Sequence, residues 1–181
     1  IRSAESVVVL TGAGVSKTSG VPTYHDGIWD RAVSKGCMPS EDLFTAAMFA
    51  AEPLKCWRHH VDLHFQCKEA RPNEAHWALA KLEKIVKARR GKFTLISQNV
   101  DGLHLKAGST PFEIHGNLNY VRCFDESCKG SKTLFPFPYR KRPKVDEVEL
   151  VICKVCGRSP VRPSVLFFDE YYDEDIYGAC S

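Results

Sequence analysis

Four cysteines, a glycine-flanked histidine and a short Gln-Asn-Asp cluster are the residues of this chain whose types and spacing could do chemistry. Cys123 and Cys128 are separated by four residues and Cys153 and Cys156 by two, and paired thiolates at such spacings suit a tetrahedral structural zinc site. Buried or disulfide-bonded thiols would use the same residues. Cys37, Cys56, Cys67 and Cys180 fit no ligand pattern and read as free thiols. Gly12, Ala13, Gly14 and Ser16 follow an apolar run, so their backbone amides could turn toward a pyrophosphate at the start of a helix. The usual dinucleotide fingerprint is incomplete, because a third glycine and a later acidic residue are missing, and a tight strand-to-helix turn accounts for the same stretch. Gln98, Asn99 and Asp101 can hydrogen-bond a ribose or a carboxamide, although Asp101-Gly102 is also ordinary turn chemistry. His115 precedes Gly116; a histidine's ordinary pKa near about 6.5 suits proton removal at neutral pH, while an isolated histidine is more often a satisfied core or surface residue than a base.

These groups need a scaffold. Val7 to Leu10 is an apolar, mostly β-branched run, expected as a strand buried on both faces of a parallel sheet. Phe93 to Ile96 and Phe112 to Ile114 read as further strands, which put Gln98, Asn99 and Asp101 at a carboxyl end, where open α/β sheets place ligands. Ala75, Ala78, Leu79, Leu82, Ile85 and Val86 recur at helical spacing over Glu74 to Arg89, with Gly91 as the stop. Asp42 to Ala51 and Leu54 to Glu69 also read as helices, with His59, His60 and His64 on a solvated face of the second. Val165, Phe167 and Phe168 lie in an apolar segment that fits an ordinary buried strand.

Composition sets the bounds. The chain of 181 residues is 44% hydrophobic, enough to bury one core with an inserted module. A net charge of +3 is too small to argue for nucleic acid binding, and the basic run Arg140, Lys141, Arg142, Lys144 reads as a solvated loop. No apolar run reaches membrane-spanning length, no signal peptide is visible, and zinc ligation beside unpaired thiols points to an intracellular, reducing compartment.

The segments Val7 to Pro22, Ser97 to His104 (S-Q-N-V-D-G-L-H) and Glu113 to Gly116 (E-I-H-G) together resemble the sirtuin family, the NAD-dependent protein-lysine deacylases. The resemblance implies an α/β fold, a Rossmann-like parallel sheet with a helical insert at about 28–70 and a small zinc-binding module. It implies a cofactor domain over 1–116, the zinc module over 117–161 and an incomplete return to the first domain over 162–181. By the same resemblance NAD contacts Gly12, Ala13, Gly14, Ser16, Gln98, Asn99 and Asp101, His115 is the general base, and Cys123, Cys128, Cys153 and Cys156 hold zinc. Val165, Phe167 and Phe168 would wall the acyl-lysine tunnel, with the substrate peptide adding a strand. The family's Asp-Phe-Arg or Thr-Phe-Arg is replaced by Thr23, Tyr24 and His25: Tyr24 still offers a ring, whereas His25 is shorter and less charged than arginine. Asp169 stands where the family has glycine, so a peptide contact there would be altered. The Tyr-x-x-Arg pair of sirtuins that remove acidic acyl groups is absent, which favours acetyl or another neutral acyl group on a protein or peptide lysine. The resemblance runs from Val7 to Glu170, and the strands that complete the family's adenosine site do not follow Tyr172, so the chain reads as truncated. Besides a deacylase, a catalytically inactive zinc-bearing binding module of the same descent fits these features.

Overall fold

The structure, a computed structural model, describes residues 4–22, 42–172 and 178. Strands β1 (Ser6–Thr11), β2 (Lys92–Ser97) and β3 (Phe112–Glu113) form a parallel sheet in that order, with Val7 opposite Phe93 and Ile96 opposite Phe112. Burial alternates along β1: Val8 and Leu10 are 64% and 63% exposed. The expectation of a strand buried on both faces is therefore corrected, because among the described residues only one face of β1 is covered.

Helix α1 (Ala46–Ala51) follows a 3-10 turn at Asp42–Phe44, and α2 (Pro53–Glu69) follows it closely. The expected single helix over Asp42 to Ala51 breaks at Thr45, whose extended backbone and Oγ1, accepting from the Met48 N–H at 3.1 Å, make it an N-cap. Helix α2 presents two buried stripes: Trp57, Val61 and Phe65 pack with Val121 and Val148, and Cys56, Leu63 and Cys67 pack with Leu118, Val165 and Phe167. His60 and His64 lie between these stripes and are 0% and 3% exposed, so the solvated face expected for them is wrong. Each has a fixed partner: His60 Nδ1 donates to the Cys56 carbonyl and His64 Nδ1 to that of Leu118, and the His64 ring stacks on Phe137 at 3.7 Å.

Helix α3 (Glu74–Ala88) packs on β2. Its buried residues are His76, Ala80, Glu83 and Val86, whereas Ala75, Ala78 and Ile85 are exposed. Counting only apolar residues rotated the expected face, since the inner stripe includes two polar residues with partners. Glu83 accepts from the Thr110 N–H at 3.1 Å and from Lys87 Nζ. The left-handed residue at the helix end is Arg90 (φ 63°), not Gly91. Gly91 is needed for space instead, as a Cβ there would stand 2.9 Å from Val86 Cγ1.

The short helix α4 (Leu103–Lys106) leads to β3, and the chain then builds a second, antiparallel sheet in the order β5-β4-β6, from β4 (Gly116–Cys123), β5 (Phe135–Pro136) and β6 (Val161–Val165). Gly116 faces Val165 and Cys123 faces Val161. The segment between β4 and β6 therefore hangs from a two-strand stem, with His115 at its base and the cysteines at its tip.

Candidate active site

The carboxyl ends of the parallel strands converge on one cavity of about 450 Å³. Ala13, Ser16, Gln98, Asn99, Asp101, His115, Val165, Phe167 and Phe168 all line it. Gly12 lies beside it: a Cβ would meet Gln98 Oε1 at 3.0 Å, so glycine lets the Gln98 side chain pass close to this turn. Gly14 has open space around it and no such constraint. Tyr24 and His25 lie outside the described residues.

The polar end of the cavity is a closed network. The Ser16 hydroxyl donates to Asp101 Oδ2 at 2.7 Å and accepts from Asn99 Nδ2 at 3.0 Å, while Asp101 Oδ1 accepts the Leu103 N–H at 2.8 Å. Ser16, Asn99 and Asp101 are all buried, so each needs these partners. Behind them stand two histidines missed in the sequence, His76 and His104, with rings 4.7 Å apart. His76 Nδ1 accepts the Asn73 N–H, which leaves its Nε2–H facing Ser16 Oγ at 3.5 Å; His104 Nε2 meets Thr11 Oγ1 at 3.0 Å. Burial lowers the pKa of both, to about 4 for His104, and keeps them neutral. Asn73 three positions before His76 forms a capping box, a pattern that could have marked His76. Glu113, beside His115, has its carboxyl raised to about 7 by burial, against hydrogen bonds from Asn117, with the nearby Asp101 charge adding to the rise.

His115 sits where the two sheets meet. Its Nδ1 is 2.7 Å from the Gln98 carbonyl and its Nε2 is 3.1 Å from the Tyr172 hydroxyl. A Cβ on Gly116 (φ 81°) would stand 2.1 Å from the Ser164 carbonyl oxygen, so no other residue can follow His115 in this backbone. The apolar walls are Phe44, Leu63, Leu118, Val165 and Phe167. Phe168 forms the rim at 56% exposure. Arg162 supports the wall from behind, its guanidinium 3.6 Å above the Phe167 ring and paired with Glu170. Asp169 turns away from the cavity: its two carboxylate oxygens accept the Ala46 and Ala47 N–H groups at the start of α1.

At the stem's far end, the sulfurs of Cys123, Cys128, Cys153 and Cys156 lie within 4.8 Å of one another, and Cys123 and Cys156 are 3.8 Å apart. A tetrahedron with Zn–S near 2.3 Å has edges of about 3.8 Å, so the four could hold a zinc ion. The Gly130 and Val155 N–H groups point at the Cys128 and Cys153 sulfurs, which favours thiolates. Cys56 and Cys67 are buried free thiols, and Cys37 and Cys180 lie outside the described residues.

The sequence matches the Sir2 family over residues 12–180. It is 41% identical over 180 residues to an NAD-dependent protein deacylase of Thermus thermophilus, covering 98% of this chain and 64% of that protein. It is 37% identical over 179 residues to NAD-dependent protein deacylase 1 of Archaeoglobus fulgidus, covering 97% of this chain and 65% of that one. The crystal structure of a Sir2 homolog–NAD complex superposes with a TM-score of 0.79 at 36% identity, over 98% of this chain and 63% of its own. A Sir2 protein with a deacetylated p53 peptide and 3'-O-acetyl ADP-ribose does so at 0.72 and 29%, over 96% and 64%. The chain thus spans just under two thirds of the length of these relatives. With the family matched over residues 12–180 and the fold superposing on a Sir2 homolog over 98% of the chain, the chain belongs to the Sir2 family.

Proposed function

We propose that this protein removes acyl groups, acetyl above all, from protein lysines, using NAD and giving nicotinamide and O-acyl-ADP-ribose. The observation that carries the reading is His115, whose Nε2 faces an apolar cavity that ends in the Ser16, Asn99 and Asp101 cluster. NAD fits the residues present, because the turn at Gly12 runs close against Gln98 and the buried polar groups suit a ribose and a carboxamide. When bound there, NAD would supply a glycosidic carbon from which nicotinamide departs. Gly12, Ala13, Gly14 and Ser16 would hold the pyrophosphate end, with Gln98, Asn99 and Asp101 on the ribose and carboxamide. Tyr24 and His25 belong to the same proposed contact set by resemblance.

With NAD bound there, His115 would be the base placed to take a proton from a ribose hydroxyl. Its Nδ1–H stays on the Gln98 carbonyl, which steadies the imidazolium. Val165, Phe167 and Phe168 would flank the acyl-lysine side chain. Among the described residues no lysine or arginine lines the cavity to pair with an acyl carboxylate, and Glu170 is already paired with Arg162, which favours a neutral acyl group. Relatives with acylated peptides, including a Sir2 protein bound to a propionylated peptide, support this substrate class. The unpaired Cys56 and Cys67 support a reducing compartment. No described helix is long and apolar enough to cross a membrane.

The test is product formation from NAD and an acetyl-lysine peptide. His115→Ala should abolish deacylation while largely sparing NAD binding. Full activity in that variant would remove His115 from the role, and a chain that binds peptide without releasing nicotinamide would favour the inactive binding module.

A further inference from the structure

We propose that Tyr172 is a further catalytic residue, the hydroxyl through which a proton from the cavity reaches His115 Nε2. The proposal rests on the reading of His115 as general base. The imidazole is held at both nitrogens. Nδ1 lies 2.7 Å from the Gln98 carbonyl, an atom that can only accept, so Nδ1 carries the hydrogen and Nε2 the lone pair. That lone pair is single, and the Tyr172 hydroxyl stands 3.1 Å from it. The neutral Nε2 cannot donate, so the phenol does.

Any proton that His115 takes from the cavity must displace this hydroxyl or pass through it. Three observations favour passage. Tyr172 lines the same cavity as His115, Ser16 and Asp101. Its ring packs against the imidazole with centroids 5.7 Å apart, so ring contact as well as the hydrogen bond places the oxygen. Two residues upstream, the Glu170 carboxylate is bound by Arg162 and accepts the Phe167 N–H at 2.8 Å, which anchors the segment that delivers Tyr172. A phenol oxygen that donates its hydrogen still accepts another.

In the step itself, Tyr172 Oη accepts a proton from a hydroxyl of the bound molecule as it gives its own to Nε2. One O–H bond breaks on the donor and one on the phenol, while a new O–H forms on Oη and an N–H on Nε2. The electron pair of the donor bond stays with its oxygen, the positive charge arrives on the imidazolium, and no oxidant or reductant is required.

Tyr172→Phe keeps the ring and removes only the hydroxyl. In the ligand-free chain, nitrogen-resolved NMR should show His115 in the Nδ1–H form with a hydrogen-bonded Nε2, and the variant should move the Nε2 resonance toward that of an unbonded lone pair. With NAD and an acetyl-lysine peptide, kcat for deacylation should fall roughly 100-fold at unchanged peptide KM. His115→Ala is measured alongside. If that variant deacylates normally, the reading of His115 falls and the relay falls with it. If it is inactive while Tyr172→Phe keeps the full kcat, or if the Nε2 resonance does not move, the relay alone is overturned.

Discussion

Arg162→Ala measures how far the cavity's back wall depends on one buried charge. The residue is 3% exposed, and its guanidinium bonds both Glu170 oxygens, Nη2 to Oε2 at 2.9 Å and Nη1 to Oε1. Nη2 also donates to the Val165 carbonyl at 2.7 Å, and Cζ stands 3.6 Å from the Phe167 ring centroid. Burial alone would raise the Glu170 carboxyl, but the hydrogen bonds and charge of Arg162 outweigh it and hold it below its ordinary value. Removing one partner of a buried pair costs about 3–5 kcal/mol, because the other charge is left uncompensated. The lost cation–π contact adds about 1 kcal/mol. Arg122 Nη2, 3.8 Å from Glu170 Oε1, is too distant for a hydrogen bond and compensates only in part. A loss of about 3–5 kcal/mol lowers Tm by roughly 6–20 °C for a chain of this size. Urea unfolding of Arg162→Met, Glu170→Gln and the pair together should show the double variant losing less than the sum of the singles, with coupling of about 2 kcal/mol. A loss below about 1 kcal/mol for Arg162→Ala, or strictly additive singles, would refute the reasoning and assign the wall to apolar packing alone.

A chelator should release about one zinc per chain and unfold the stem between β4 and β6; protein purified without chelators that contains no metal would sink the four-thiolate assignment. Stability should fall on acidification: burial depresses His60 to about 3 and His64 and His104 to about 4, below about 6.5 in the unfolded chain. The unfolded state therefore gains protons first, and each histidine costs roughly 2 kcal/mol at about pH 5. Glu113 works the other way, since a carboxyl raised to about 7 contributes more as pH falls toward about 4.5, and it offsets about one histidine. Denaturant midpoints that stay level between about pH 7 and 5 would contradict this balance. Asp169→Ala should cost roughly 1 kcal/mol by freeing the Ala46 and Ala47 amides at the start of α1; an unchanged urea midpoint would show that water replaces the carboxylate without loss.

Much of the site was legible because the backbone demands particular residues at particular points. Gly116 is the residue that steric contact permits, Cys123, Cys128, Cys153 and Cys156 carry ligand spacing, and the apolar runs at β1 and β2 mark parallel strands. Periodicity failed where polar residues are buried with partners. His76 and Glu83 on α3, and His60 and His64 on α2, look solvated when only apolar residues are counted, yet each is buried with a hydrogen-bond partner, Glu83 and His64 on the distant Thr110 and Leu118 and His76 and His60 on the nearby Asn73 and Cys56. By itself, then, the sequence determined the parallel strands, the glycine turn and the thiol set, all of which depend on local sterics or short spacing. Only the tertiary structure decided that Tyr172 meets His115 across 57 residues, that Asp169 caps a helix more than 120 residues earlier and that Ser16 meets Asp101 across 85. Those contacts depend on where two sheets and the helices pack against one another, and no local pattern of residues encodes that distance.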